Sequence, residues 1–414
     1  MMRAILHGKL ILEDEILEGC VLLFDTKVRA IVTETTFQAS YGRDGTWEGQ
    51  PVSVTDAGGC YVSPGFVNIH LHGCVGKDVM DGEDAGLEAM SRFQAATGVT
   101  AFVPTTMTYE WPAVTRALAS VRRVRDAQSR PGTVPVGARV AGAYLEGPFV
   151  SDARKGAQRG AAIARADASL LEPYADVIRY VVLAPETVSP AERDAFIAAC
   201  RAWRITVSLG HSDASWEEAR AAFAAGAGHV THLYNAMTGF HHRRPGLVGA
   251  AWQSDAVCEL IADNLHVHPA AQALLYRLKG PDGVVLVTDS MRACGLGDGP
   301  SELGGQAVTV RDGAARLADG TLAGSVLCLN EGLRHWKENT GASWPEALRA
   351  VTAVPAKELG KEGVWGSIRP GAAADMVLFD ETVSIRETLV GGTTVYRCPG
   401  PAPVSYTHLR AHET

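Results

Sequence analysis

The stretch TVSLGHSDASWEEARAAFAAGAGHVTH, residues 206–232, contains two short apolar runs separated by an alanine-rich segment. The runs at 206–209 and 229–232 have the length of buried strands, whereas the segment at 216–226 has the apolar period of a helix. The stretch therefore predicts a strand, a helix and a second strand, which is the repeat unit of proteins built on a parallel sheet.

The same alternation extends along most of the chain, with helix-period segments at 88–97, 111–127 and 192–203. Eight strands are predicted, at residues 65–70, 100–104, 141–146, 177–183, 206–209, 229–232, 258–261 and 284–288. Eight strands that alternate with helices favour an α/β fold of the (β/α)8 TIM barrel type over an open doubly wound sheet. No Gly-x-Gly-x-x-Gly sequence follows an early strand, which weakens the open-sheet alternative further.

The two ends of the chain differ from this central pattern. Short alternating runs separated by turn-rich segments occupy residues 1–60, and residues 365–400 have the same character. We predict a small β-sandwich domain formed by residues 1–60 and 365–403, attached to a barrel at residues 61–364. The polar residues 404–414 are predicted to be a non-native or disordered tail, so their two histidines are not counted as ligands.

The composition argues against several classes of protein. Hydrophobic residues make up 46% of the 414 residues, which is ample material for a large core. The net charge of -8 is spread without a basic cluster, so we expect a small-molecule partner and no nucleic acid or membrane. We also expect a cytoplasmic protein, because the chain lacks an apolar span or signal core and its eight cysteines form no Cys-x-x-Cys pair.

Side chains that can bind metals follow the ends of the predicted strands. Because these ends converge at one mouth of a (β/α)8 barrel, we expect the side chains to meet there. A lone histidine at a strand end is more often a hydrogen-bonded structural residue, but separate structural contacts would have to explain each member of the set. The set consists of His70, His72, Glu146, His211, His232 and Asp289.

The chemistry of this set fits a divalent metal site. Imidazole nitrogens and carboxylate oxygens suit zinc or iron, and three protein ligands leave a position for water. Such an ion lowers the pKa of water and polarises a carbonyl group, which are the two requirements for hydrolysing an amide. Asp289 could then accept a proton from the attacking water and deliver it to the departing nitrogen.

Several segments, in order from about residue 55 to 380, resemble the N-acetylglucosamine-6-phosphate deacetylases of the amidohydrolase superfamily. The segment THLYNAM at 231–237 is specific to this group within the superfamily. The other segments are PGFVNIHLHG at 64–73, LEGPF at 145–149, GHSDA at 210–214, IADNLHV at 261–267 and VTDS at 287–290.

The resemblance implies metal-dependent deacetylation of N-acetyl-D-glucosamine 6-phosphate to D-glucosamine 6-phosphate and acetate. It implies that Glu146, His211 and His232 hold the main metal and that Asp289 is the general acid/base. His70 and His72 would hold a second ion, as in some relatives. One or two divalent ions are expected, with zinc preferred and iron, cobalt or manganese as alternatives.

The resemblance also implies a site for the phosphorylated amino sugar. Arg243 and His266 would suit the phosphate, because a guanidinium offers forked donors and an imidazole a further donor. Arg244 is an alternative to Arg243, and a neighbouring subunit can supply this contact in relatives, which implies a homodimer or a higher homo-oligomer. The matching positions are Ala157, Gln158, Asn235, Ala236, Arg243, His266, Leu322, Ala323 and Gly324.

Three positions depart from the family pattern. Gln158 stands where some relatives have His, so oxyanion stabilisation there would depend on hydrogen bonding and the metal. Ala323 and Val354 replace a small polar residue and an Asn. These changes affect fine specificity more than the reaction class.

Two other hypotheses differ in function. Another amidohydrolase, acting on a related N-acyl sugar or a cyclic amide, would share the barrel but should carry a carboxylated lysine after the fourth strand. Residues 182–186, VLAPE, offer no lysine. A catalytically inactive barrel that serves as a binding or structural protein would be expected to lose ligands, whereas every expected position is filled.

Overall fold

The computed structural model describes residues 1–399, except for the side chains of residues 42–44. Parallel strands form a barrel at its centre, and neighbouring strands pair in chain order. The predicted TIM barrel is confirmed, with all eight expected strands at or within a few residues of their predicted positions. They are Phe66–Leu71, Val99–Thr106, Ala143–Leu145, Ile178–Leu183, Thr206–Leu209, His229–Val230, Val257–Ile261 and Val284–Val287.

The first and last barrel strands meet in two different ways. At the carboxyl end, the Asp289 N–H donates directly to the His70 carbonyl at 3.0 Å. At the amino end, Val67 and Leu286 of the two strands donate to the carbonyls of residues 351 and 350 at 2.7 and 2.9 Å. The ring is therefore completed at its amino end by a later segment inserted between the two strands.

Helices follow all but one of the barrel strands. After the third strand the chain forms short 3-10 turns, at Asp152–Arg154, Gly160–Ala162, Ala168–Leu170 and Glu172–Tyr174. Capping boxes at Ser189 and Ser215 fix where two of the helices begin. The barrel helices are Asp84–Ala96, Trp111–Gln128, Pro190–Ala202, Trp216–Ala225, Gly246–Gln253, Pro269–Lys279 and Leu329–Thr340, and two short helices, Trp344–Arg349 and Ala353–Glu358, follow.

Two further sheets pack against each other beside the barrel, and residues of both share one apolar cluster that includes Ile5, Leu22 and Met376. One sheet is entirely amino-terminal, with strands Met2–Leu6, Cys20–Phe24, Val28–Thr33, Thr46–Trp47 and Gln50–Asp56. The other joins both ends of the chain, through Lys9–Ile11, Ile16–Leu17, Tyr61–Pro64, Met376–Phe379, Ile385–Val390 and Thr393–Arg397.

The expected β-sandwich is therefore present, although Tyr61–Pro64 pairs with its second sheet and not with the barrel. The proposed boundaries at residues 60 and 365 stay a prediction. Residues 400–403 and the expected tail 404–414 lie outside the described residues. Within residues 1–399, no helix combines the length and apolar character that a bilayer span requires.

Two elements were not anticipated from the sequence. A helix, Glu34–Asp44, begins at the Thr33 cap within a segment expected to be turn-rich. A three-stranded antiparallel sheet, formed by Gly299–Leu303, Gln306–Arg311 and Ala314–Arg316, follows the last barrel strand. This small sheet reaches the mouth of the barrel.

Candidate functional site

The structure brings the six predicted strand-end side chains together at the carboxyl mouth of the barrel. Three of them lie just beyond a strand in the left-handed backbone region, with φ of 45° at His211, 27° at His232 and 48° at Asp289. L-residues rarely adopt this conformation, and such strain persists where the surrounding structure requires it, often at functional sites. All six are buried: His70, His72, Glu146, His211, His232 and Asp289.

Glu146, His211 and His232 form one compact group. Glu146 Oε1 lies 3.1 Å from His211 Nε2 and 2.9 Å from His232 Nε2. The two imidazole nitrogens are themselves 3.1 Å apart. Three ligand atoms from three different strand ends thus converge on one point, as a metal site requires.

A second group shares Glu146. His72 Nε2 lies 3.1 Å from Glu146 Oε2 and 3.2 Å from Asp289 Oδ1. His70 Nε2 lies 3.6 Å from Glu146 Oε1 and 3.6 Å from Asp289 Oδ1, and it has no hydrogen-bond partner among the described residues. A buried nitrogen without a partner calls for an explanation, and a cation bound between His70, His72 and Glu146 would supply one.

Contacts on the far side of two rings set their orientation. His72 Nδ1 lies 3.1 Å from the Thr105 carbonyl, and His211 Nδ1 lies 3.0 Å from the Arg154 carbonyl. Because a carbonyl can only accept, each Nδ1 carries a proton, so each ring in its neutral form would offer the lone pair of its Nε2 to an ion bound in the cluster. The donor set therefore fits a divalent ion.

Both carboxylates of the cluster are held in their ionised form. Burial raises the pKa of Glu146, but attraction to His70 and hydrogen bonds from the other histidines lower it well below its usual range. Burial likewise raises the pKa of Asp289, and the hydrogen bond from His72 reverses this and lowers it. Ionised oxygens are available both to bind a cation and to accept a proton.

A cavity of about 280 Å³ opens directly above this cluster. Most of the predicted substrate positions line it, together with four residues that were not predicted: Met107, Gly156, Leu303 and Thr321. Leu303 comes from the unexpected three-stranded sheet, whose Gly304-Gly305 turn and alternating Val308 and Val310 were a hairpin signal. The predicted positions in the lining are Ala157, Gln158, Asn235, Ala236, His266, Leu322 and Gly324.

Two predicted substrate positions do not line this cavity. Ala323 is fully buried, and its N–H donates to the Ala315 carbonyl at 3.0 Å. Arg243 is exposed on the loop before the helix Gly246–Gln253, and so is Arg244. Within the single chain, neither arginine belongs to the cavity wall.

His266 is fixed by a neighbour that the sequence analysis did not single out. Its Nδ1 lies 2.6 Å from Asp263 Oδ2, and Asp263 Oδ1 also accepts from the His266 N–H at 2.8 Å. Burial raises the pKa of Asp263, but His266 lowers it, so the carboxylate is ionised. The segment IADNLHV contained both residues, and their spacing of three is the only signal that could have linked them.

A larger cavity, of about 870 Å³, lies at the opposite, amino end of the barrel. Its wall includes Arg204, Asp255 and Lys357, and none of the six clustered side chains. The smaller cavity is therefore the candidate active site, because it alone of the two holds the cluster.

Comparison with known proteins agrees with this geometry. The amidohydrolase family matches residues 61–395. The N-acetylglucosamine-6-phosphate deacetylase of Bacillus subtilis is 41% identical over 338 residues, which is 80% of this chain and 84% of that protein. The N-acetylgalactosamine-6-phosphate deacetylase of Escherichia coli is 38% identical, over 83% of this chain and 89% of that protein.

Solved structures give the same result. N-acetylglucosamine-6-phosphate deacetylase from Pasteurella multocida superposes with a TM-score of 0.84 at 29% identity, covering 95% of this chain and 99% of that one. A variant of the Mycobacterium smegmatis enzyme in complex with N-acetyl-D-glucosamine-6-phosphate gives 0.82 at 27% identity, over 95% and 99% of the two chains.

Proposed function

Because the chain belongs to the amidohydrolase family, we propose that it deacetylates N-acetyl-D-glucosamine 6-phosphate, giving D-glucosamine 6-phosphate and acetate. The observation that carries this proposal is the convergence of Glu146, His211 and His232 beside Asp289 at the floor of a cavity. A site of this kind can hydrolyse amides, and the similar proteins from Bacillus subtilis and Escherichia coli act on phosphorylated amino sugars, as their names state.

Glu146, His211 and His232 would hold the main metal ion, and His70 and His72 with Glu146 would hold a second. Zinc is the ion we propose, since two imidazoles and a carboxylate suit it, while iron, cobalt and manganese accept the same ligands. When bound, a divalent ion lowers the pKa of a water molecule and polarises the acetyl carbonyl.

Asp289 performs the proton transfers. Its side chain reaches the cavity, and its carboxylate is ionised, so Oδ1 can accept the proton of the attacking water. As the new C–O bond forms and the C–N bond breaks, the same oxygen delivers that proton to the departing nitrogen. The acid proton of the new carboxyl group passes to the amine, so the products are acetate and the ammonium form of the amino sugar, and Asp289 ends the cycle ionised, as it began.

The other lining residues would orient the sugar. Asn235 offers an amide to the sugar hydroxyls, and His266, held by Asp263, offers its Nε2 to the phosphate. We propose that Arg243 completes the phosphate site from a neighbouring subunit of a homodimer, because it is exposed and outside the cavity of its own chain.

The free state of all eight cysteines suits the reducing cytoplasm, where we place the reaction.

N-acetylgalactosamine 6-phosphate is a second candidate substrate. The similarity to the Escherichia coli deacetylase of that sugar favours it, and the two sugars differ only in the orientation of one hydroxyl group. Both carry the acetyl amide and the phosphate, so the chemistry at Asp289 is the same for either.

The test is acetate release by the purified protein from both phosphorylated sugars, with unphosphorylated N-acetylglucosamine alongside and bound metals quantified on the same sample. We expect fast release confined to phosphorylated substrates. No release from protein that holds stoichiometric metal would overturn the substrate but leave the metal site standing.

A further inference from the structure

A chain of acidic and imidazole side chains runs from the candidate metal site down the interior of the barrel. His70 Nδ1 lies 2.8 Å from Glu259 Oε2, and Glu259 Oε1 lies 3.0 Å from His229 Nε2. His229 Nδ1 then lies 2.7 Å from Glu358 Oε2. The first three side chains are fully buried, and only Glu358 is slightly exposed, at 12%.

The elements that supply this chain have no part in the substrate cavity. Glu259 lies within the seventh barrel strand, Val257–Ile261, and His229 begins the sixth, His229–Val230. Glu358 ends the short helix Ala353–Glu358 beneath the barrel. Buried charges are costly unless they are paired, so three such groups in line need a reason.

One carboxylate oxygen of Glu259 contacts both groups of candidate metal ligands, through His70 and His232. Its Oε2 accepts from His70 Nδ1, from the Thr231 hydroxyl at 2.9 Å and from the His232 N–H at 3.0 Å. Because a carboxylate can only accept, it fixes the proton of His70 on Nδ1 and turns the lone pair of Nε2 towards the cluster. Within residues 1–399, the one hydrogen bond recorded to its second oxygen, Oε1, comes from His229 Nε2.

We propose that His229, with Glu358 behind it, is a positioning residue that holds Glu259 in place and thereby sets the metal affinity of the His70, His72 and Glu146 site. This inference rests on the metal ligands named in the proposed function. His229 contacts neither the cavity nor a ligand directly, and it acts through Glu259 alone.

The charges of Glu259, His229 and Glu358 support this role. Burial lowers the pKa of His229, but Glu358 and Glu259 outweigh burial and raise it to about 10. The ring is therefore an imidazolium at neutral pH, which donates a hydrogen bond from Nε2 to Glu259 and forms an ion pair through Nδ1 with Glu358. Among the described residues, His229 is the one imidazole that contacts both glutamates, so its removal leaves Glu259 free to turn away from His70.

The experiment compares zinc binding by the wild type and His229 variants of the full-length protein. His229→Leu removes the hydrogen bond to Glu259, the ion pair with Glu358 and the charge, while His229→Gln keeps a side-chain donor. His335→Leu is the matched control, since His335 is a half-buried imidazole that contacts the Ala262 carbonyl and has no link to the cluster. Bound zinc and its dissociation constants are measured by competition with a chelator, and folding by circular dichroism.

We expect two zinc ions in the wild type, with one of them bound about 10- to 100-fold more weakly in His229→Leu, as other contacts behind metal ligands behave. The His229→Gln variant should fall between the two, and His335→Leu should match the wild type. A merely structural ion pair can be replaced by an apolar residue without effect on metal affinity. Unchanged zinc affinity in folded His229→Leu would therefore overturn the proposal.

Two additions keep the outcome clear. If His229→Leu fails to fold, Glu358→Gln tests the same contacts, because it removes the charge that pairs with His229. A smaller loss of zinc affinity is expected in this variant. An unchanged affinity would count against the proposal. Deacetylation is assayed on the same wild-type sample. Inactive wild-type protein with a His229-dependent zinc site would refute the substrate and leave this inference intact.

Discussion

Gln158 donates from its side-chain Nε2 to Oε2 of Glu146, at 2.6 Å. The Oε1 of the same amide accepts from the Thr108 N–H at 2.7 Å, which fixes the end of the amide that faces the carboxylate. Gln158 therefore orients the carboxylate that both groups of ligands share. The contribution to oxyanion stabilisation that the sequence suggested for this position stays a prediction.

Replacing this donor tests its importance. Gln158→Glu puts a second carboxylate against Glu146, and we expect kcat/KM to fall about 10- to 100-fold with a loss of bound metal. Kinetics and metal content on one sample measure both effects. Gln253→Glu, on an outer helix where Gln253 accepts from Trp216, is the control. Wild-type metal content and rate in Gln158→Glu would show that the contact is dispensable.

The proton transfers assigned to Asp289 predict a specific kinetic phenotype. Asp289→Asn keeps the shape of the side chain but cannot shuttle a proton, so kcat should fall by about 100-fold or more. Metal content should stay close to that of the wild type, because Glu146, His211 and His232 are unchanged. Retained turnover in this variant would contradict the assignment.

Removal of the metal should abolish turnover and lower stability together. A ligand at about 1,000 times its Kd stabilises the folded state by about 4 kcal/mol, so zinc added to chelator-treated protein should raise the melting temperature. Reloading with iron, cobalt or manganese in separate samples ranks the ions by activity. A fully active protein after exhaustive chelation would argue against metal-dependent hydrolysis.

The exposed position of Arg243 predicts complementation between subunits. Arg243→Ala should raise KM for the phosphorylated sugar about 10-fold or more, while Arg244→Ala should change it little if Arg243 is the phosphate ligand. Refolding Arg243→Ala together with Asp289→Asn creates mixed dimers in which one site has both an intact Asp289 and a partner's intact Arg243. If the guanidinium crosses the interface, activity should return to about a quarter of the wild-type level.

The control for that experiment is each variant refolded alone. Failure of the mixture to exceed the sum of the two single variants would place Arg243 in its own chain's site, or outside the phosphate site altogether. An increase of KM in Arg244→Ala alone would move the assignment to that residue.

The barrel was predictable because its strands are short apolar runs that end in polar residues. Each of the six side chains proposed for the site lies within two residues of the end of such a run, so topology alone placed them together. The sequence could not show that His211, His232 and Asp289 turn back into the mouth through left-handed backbone, since only the surrounding packing imposes that conformation.

Other features depend on contacts between distant elements. Glu259 looks anomalous in the strand VCELI, but nothing near it indicates that its partners are His70, 189 residues away, and His229. The helix Glu34–Asp44 was missed because its periodic signal is weak, and Phe37 is its clear apolar anchor among the described side chains. Local pattern carries no information about such pairings.

The insertion of residues 350–351 between the first and last barrel strands has a consequence for biosynthesis. A nascent chain in which all eight strands have left the ribosome can still lack the carbonyls to which Val67 and Leu286 donate at the amino end. Lys9–Ile11 and Tyr61–Pro64 form a sheet with Met376–Phe379, so this sheet cannot be completed until that later strand has been synthesised. Native structure in these sheets is therefore completed only after Met376–Phe379 has been synthesised, and until then the early strands lack part of their pairing.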